Sequence, residues 1–183
     1  MRPPVIAYAD GADSPRSAPR DVAAVAGLSD PEVLLGWTPE GRPWLASPAL
    51  RGRTVIAGYA LAGAVADGRL HYMPVRLSAV PRMVTDLLPD VALVTGIRRG
   101  DRLAFGASAG WGPAAARAAT MVVVELDDAA ADVGGPEIPG RIVATVPRPP
   151  SAEPPPAPRA PDEVDALVVH DRAACRGRLD APV

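Results

Sequence analysis

The residues of this chain whose types could do chemistry are few. Of the glutamates, Glu125 alone stands at the end of a segment expected to be a core strand, where α/β sheets gather functional side chains. A carboxylate there can act as nucleophile or base. It can also pair with an arginine or cap a neighbouring turn, and this structural role is the one expected. Arg98-Arg99 could meet phosphates, yet two arginines in a tight-turn sequence are expected to be solvated. The segment Phe105-Gly106-Ala107-Ser108-Ala109-Gly110-Trp111-Gly112 has more to offer. Its glycines let backbone amides approach a ligand, and it runs into a helix start that favours an anion or a carbonyl oxygen. Trp111 suits an apolar pocket wall or ordinary core packing equally. His71 reads as a satisfied core or surface histidine. His170 and Cys175 lie on a terminal helical segment with no pocket motif, so no Cys/His catalytic pair is expected. One cysteine excludes an internal disulfide and a cysteine-based zinc site. No His/carboxylate cluster has ligand spacing, so no metal is expected.

The elements that must position these residues alternate along the chain. Residues 1–31, rich in Pro, Ala, Asp and Arg, read as an N-terminal extension with one short helix, Pro19–Ala26. Strands are expected at Val33–Trp37, Thr54–Ala57 and His71–Val75, with a helix near Ala60–Ala66. Ser78 is placed to cap a helix Ala79–Leu88, and Pro81 fits near its start. Val91–Val94 is continuously apolar, as in a strand covered on both faces. Arg98-Arg99-Gly100-Asp101 then turns the chain back into Arg102–Phe105 as a hairpin. Gly112-Pro113 opens a helix Ala114–Thr120, and strands follow at Met121–Leu126 and Arg141–Val146. Strand–helix alternation with short connections implies an α/β fold, a mostly parallel sheet flanked by helices, over residues 32–146.

Eight of the 15 residues from Pro147 to Pro161 are proline, which reads as an extended strap. Asp162–Ala174 has a helical pattern with Val164, Leu167 and Val168 on one face, and residues 162–183 read as a terminal, partner-docking helix and tail. Such a helix is marginal alone in water and needs a surface to pack on.

Composition sets outer bounds. Hydrophobic residues make up 48% of the 183, enough for a core, though with one Phe, three Tyr and three Trp. The net charge of −2 gives no general attraction for nucleic acid or anionic membrane. All basic residues are arginine and Lys, Asn and Gln are absent, as a GC-rich coding sequence would produce. The N-terminus has no signal-peptide core, and no run approaches the roughly 18–20 apolar residues of a membrane span. A cytoplasmic protein is expected.

Three segments between Gly58 and Val146 carry a family likeness. Ala66–Pro81, with Gly68-Arg69 and Tyr72-Met73-Pro74-Val75-Arg76-Leu77-Ser78, is similar to the pattern GRADYxPVxLSEVP. Pro89–Val94 and on to Gly106-Ala107-Ser108 is similar to DVALIQVSPPDxxGYxSLGxS, and Ala115–Leu126 to AAxxAKxVIAEVN. In order and spacing they resemble the N-terminal domain of the acetyl-CoA hydrolase/transferase family, which includes acetate and 4-hydroxybutyrate CoA-transferases. Gly96-Ile97 replaces the Ser-Pro of the second pattern, Arg102-Leu103 replaces its Glu/His, and Asp127 stands for the Asn after Glu-Val.

The resemblance implies a NagB/RpiA-type domain that binds a coenzyme A thioester, as substrate, in a cleft between two such domains. The catalytic glutamate and the Gly-rich CoA motif belong to the C-terminal domain, so no catalytic residue is expected in this chain. It is expected to be the non-nucleophilic subunit of a split CoA-transferase or acyl-CoA hydrolase. Its partner would be a separately encoded C-terminal-half subunit, and acceptors run from water and acids to a carrier-protein thiol. Substrate contacts would come from Met73, Pro74, Ser78, Gly96, Asp101, Phe105, Gly106, Ser108 and Trp111. The alternatives are a catalytically inactive binding or scaffold protein derived from this family, and a truncated form of a two-domain enzyme.

Overall fold

The apolar residues Val5–Tyr8 form a strand, β1, that is fully buried and central in the sheet, although composition places residues 1–31 outside the domain. In the computed structural model, which describes residues 2–151, β1 pairs in parallel with β2 (Glu32–Leu35) on one side and β5 (Val91–Arg99) on the other. Flanking prolines and the Asp/Ser/Pro-rich stretch after it hide this strand in the sequence. The register Ile6↔Val33 and Ile6↔Val91 nevertheless makes it the hinge of the whole sheet. The expected N-terminal extension is therefore part of the domain, supplying β1 and helix α1 (Pro19–Ala26).

From β2 the sheet continues through β3 (Gly52–Thr54) to β4 (Leu70–Tyr72), and from β5 through β7 (Met121–Leu126) to β8 (Ile142–Pro147). The order is β4-β3-β2-β1-β5-β7-β8, all parallel, with β6 (Arg102–Ala104) antiparallel to β5 in a hairpin. This is the mostly parallel, helix-flanked sheet expected. Arg99 pairs with Arg102, leaving a two-residue turn in which Gly100 takes φ 61° without a Cβ penalty.

Side chains divide by strand alternation. Ile6 and Tyr8 face a core with Leu35, Leu93 and Val123, covered by Val22 of α1 and by Leu61 and Ala64, the latter on α2 (Ala62–Ala66). Val5, Ala7 and Ala9 face the opposite core with Ala92, Val94 and Val124. That face is covered by α3 (Val80–Leu87) and α4 (Gly112–Ala118). Each large aliphatic side chain so buried contributes about 1.5–3 kcal/mol of transfer free energy, before conformational entropy is subtracted.

Several boundaries move for local reasons. β3 ends at Thr54 because its hydroxyl donates to the Ile56 carbonyl (2.8 Å) and accepts from the Ile56 amide (3.1 Å), turning the chain out of the ladder. β4 stops at Tyr72, just before Pro74, which has no N–H to offer. Ser78 makes no capping bond: it lies in a 3-10 turn, Leu77–Ala79, and α3 begins after it with Pro81 in its first turn. β5 runs on to Arg99 because Gly96 lets it pass under Ile138 and Val124; a Cβ there would lie 2.6 Å and 2.8 Å from their methyls. Among the described residues, no helix is long and apolar enough to cross a membrane. The proline-rich segment beyond residue 151 and the helical pattern Asp162–Ala174 lie outside the described residues.

Candidate ligand-binding edge at the sheet switch point

The chain winds outward from β1 through β2, β3 and β4, then returns to place β5, β7 and β8 on the other side. The strand order thus reverses between β1 and β5, and a crevice opens there beyond the carboxyl ends of the strands. Three segments meet at this point. Asp10, Gly11 and Asp13 follow β1, Gly36 and Trp37 follow β2, and the Phe105–Gly112 loop follows β6.

They are tied together by the protein's own carboxylates. Asp10 Oδ1 accepts from the Trp111 amide at 2.9 Å, and Asp13 Oδ2 accepts from the Ser108 amide at 3.2 Å. The Gly11 amide donates to the Trp37 carbonyl (3.3 Å), and the Thr95 hydroxyl donates to the Asp13 carbonyl (2.7 Å). Two glycines make the approach possible. A Cβ on Gly36 would lie 2.5 Å from both Asp10 Cβ and Trp111 Cη2. Gly110, at φ 46°, would drive one to within 1.8 Å of Asp10 Oδ1. Burial pushes the Asp10 carboxyl above the ordinary aspartate value, opposed by the amides of Trp111, Asp10 itself and Trp37.

The expectation that this helix start would receive a ligand oxygen is corrected by this contact. The Trp111 amide at the start of α4 already has Asp10 as its anion, and α4 is only seven residues long. Among the described residues, the amides of Ala107 and Gly110 have no hydrogen-bond partner, and both residues are exposed.

The nine substrate-contact residues named from sequence fall into three groups. Gly106 and Ser108 lie in the loop at the switch point, half-buried. Trp111 anchors that loop from inside: it is 5% exposed and its Nε1 donates to the Tyr8 carbonyl at 2.7 Å. Phe105 and Gly96 are buried in packing rather than facing the crevice. Met73 is half-buried and packs against the core under α3, whereas Pro74 and Ser78 are exposed beyond β4. Asp101 is exposed in the β5–β6 turn. Arg99, considered for phosphates, instead clasps Asp132 through two nitrogens and donates to the Gly135 carbonyl (3.0 Å). That pair holds the Asp132 carboxyl down at about 2, first through the Arg99 hydrogen bonds and next through the Gly134 amide.

Glu125 takes the structural role. Fully buried, it accepts from the Arg16 amide (3.0 Å and 2.8 Å), the Ser17 amide (2.7 Å) and the Ser17 hydroxyl (2.7 Å). Arg148 approaches it at 3.5 Å. Around it Arg16, Arg42 and Arg148 interleave with Glu40 and Asp127, an arrangement invisible in sequence because it joins residues 16–42 to residues 125–148, with Arg16 and Glu125 lying 109 positions apart. Arg42 donates to Glu40 (2.9 Å) and to Ser14. Burial, with Arg16 and Arg148 nearby, lowers the Arg42 guanidinium pKa although Glu40 opposes it. Burial alone would raise Glu40, but the Ser151 hydroxyl, Arg42 and Arg16 carry it below the ordinary value. This cluster fastens the loop after β1 and engages both oxygens of Glu125 in structural contacts.

An open groove of about 1110 Å³ runs elsewhere, along α1 and the turn Pro43–Ala46, lined by Trp44, Leu50, Arg51 and Arg16 among others.

No family model matches the chain, and no curated protein matches it in sequence. Solved structures do match in fold. RipA from Yersinia pestis aligns over 86% of this chain and 42% of its own, at a TM-score of 0.63 and 16% identity. Its E249D variant gives 0.64 at 15% identity, over 92% and 44%. The 4-hydroxybutyrate CoA-transferase of Porphyromonas gingivalis aligns over 81% and 37%, at 0.50 and 17% identity. The fold is CoA-transferase-like. The chain spans less than half the length of each of these structures, and at such identities the likeness is one of fold alone.

Proposed function

We propose that the switch-point edge is one wall of an acyl-CoA cleft, and that a separately encoded subunit supplies the opposing wall and the catalytic glutamate. The observation that carries this is the Phe105–Gly112 loop, clamped at the carboxyl ends of β1 and β2 by Asp10 and Asp13 while the Ala107 and Gly110 amides stay exposed. The sequence resemblance and the fold shared with a 4-hydroxybutyrate CoA-transferase support the same substrate class.

In this reading a glutamate carboxylate of the partner attacks the thioester carbonyl, the C–S bond breaks, and coenzyme A leaves as thiolate. The thiolate then attacks the glutamyl carbonyl of the resulting anhydride, releasing the acyl carboxylate and leaving a glutamyl-CoA thioester. An incoming acid carboxylate attacks that thioester and expels the thiolate again. The thiolate takes the new acyl group from the second anhydride and restores the glutamate. This chain would orient the acyl end and exclude water.

Co-expression of the full chain with a glutamate-bearing subunit from the adjacent reading frame tests the proposal. The pair should co-purify, and acyl-CoA turnover should require both. Turnover by this chain alone, or failure of any such subunit to bind, would contradict it. A non-catalytic binding role is favoured by one observation: the helix start and Glu125, the two features closest to catalytic machinery, are both saturated by the protein's own groups. A complex that binds acyl-CoA without turnover would select that second reading.

A further inference from the structure

Trp37 and Tyr59 stand out among the aromatic side chains. The rings of Trp37 and Tyr59 meet edge to face, with centroids 6.2 Å apart and planes at 71°. Trp37 is 36% exposed and Tyr59 69% exposed. The buried Tyr8 and Trp111 and the half-buried Trp44 have their polar tips satisfied: Tyr8 Oη donates to the Ser17 carbonyl, Trp44 Nε1 to the Arg16 carbonyl and Trp111 Nε1 to the Tyr8 carbonyl. Trp37 Nε1 and Tyr59 Oη have no such partner among the described residues. Tyr59 also holds φ 57°, a left-handed conformation costly for a bulky side chain, although Gly58 precedes it and could have made that turn freely. Among the described residues, no hydrogen bond accounts for an aromatic ring kept exposed in a strained backbone.

Its position gives the reason. Trp37 is joined through its carbonyl to the Gly11 amide, and Gly36 beside it touches Asp10 and Trp111. The pair therefore continues the switch-point edge from the Phe105–Gly112 loop outward over the ends of β2 and β3. The segments that carry it, Leu34–Pro39 and Thr54–Ala66, contain no charged residue. The Asp10 carboxyl lies beside it, held by the Trp37 backbone amide.

We infer that Trp37 and Tyr59 are specificity-determining residues that select an uncharged, apolar acyl group at this edge. This rests on the acyl-CoA reading and names its substrate class. A ligand carboxylate laid on the pair would lose hydration, gain no cation and meet Asp10, whereas an alkyl chain would remove both rings from water.

Titration of the full chain, in complex with the glutamate-bearing subunit that co-purifies with it, by calorimetry with coenzyme A, hexanoyl-CoA and succinyl-CoA, up to millimolar concentration, decides the matter. Hexanoyl-CoA should bind at least about fivefold more tightly than coenzyme A, a difference of about 1 kcal/mol, and succinyl-CoA no more tightly than coenzyme A. Trp37→Ala and Tyr59→Gly should each erase the hexanoyl advantage and leave coenzyme A affinity unchanged. Tyr59→Gly relieves the positive φ, so its melting temperature should equal or exceed that of the parent, separating lost selectivity from lost folding. Equal binding of hexanoyl-CoA and coenzyme A by the parent, tighter succinyl-CoA binding, or an advantage that survives both substitutions would overturn the pair's role and leave the acyl-CoA reading standing. No binding of any of the three would remove both.

Discussion

Glu125 and Asp10 are both carboxylates at strand ends, yet their surroundings assign them different work. Glu125 is saturated by two amides, a hydroxyl and Arg148, so its removal strands several buried donors at once. Glu125→Ala should lower unfolding free energy by about 3–5 kcal/mol, and Glu125→Gln by about 1–3 kcal/mol, read from denaturant midpoints at constant m-value. Asp10 lies half-buried with its pKa raised by burial. A carboxyl whose folded pKa exceeds its unfolded value contributes stability fully below that unfolded value, 3.8, and loses it as pH rises through the folded value. Relative to Asp10→Asn, the parent should therefore gain stability as pH falls from about 7 to about 4 in denaturant titrations. A difference between the two that stays constant with pH would show that burial does not dominate at Asp10.

At the scale of elements, what the sequence makes legible follows from where the physical signals are local. Helix Pro19–Ala26, strand Met121–Leu126 and the hairpin turned by Gly100-Asp101 each carry their own punctuation, and the structure places them as read. Strand β1 was hidden because the five apolar residues between Pro4 and Asp10 are too short a run for periodicity to declare. Its likeness to Val91-Ala92-Leu93-Val94, another short unbroken apolar run bounded by an aspartate, is the signal that could have found it. Asp10 and Asp13 were equally hidden, since their partners Trp111 and Ser108 lie 101 and 95 residues away. The loop Phe105–Gly112 was legible as a site candidate, but its filled helix start was not. Because Gly36 admits Asp10 and Trp111 together, Gly36→Ala should destabilise the fold by about 1–3 kcal/mol. It should also speed hydrogen exchange in residues 106–111 more than in β7, since the loop would lose its seat while the central ladder remains.

Residues 2–151 form a three-layered sheet domain whose chemically interesting edge is open. The buried arginine–carboxylate cluster and the Asp10/Asp13 clamp stiffen that edge from beneath, and Trp37 and Tyr59 extend it as an uncharged ledge. Such a rim, preformed but one-sided, suits a ligand held against a second body. Hydrogen exchange of the full chain in complex with its glutamate-bearing subunit, with and without saturating hexanoyl-CoA and resolved to peptides, tests this most directly. The account predicts slowed exchange in residues 9–13, 36–38, 57–60 and 106–111, with β7 unchanged. Protection confined to the groove along Trp44, Leu50 and Arg51, with the switch-point loops unaffected, would contradict it.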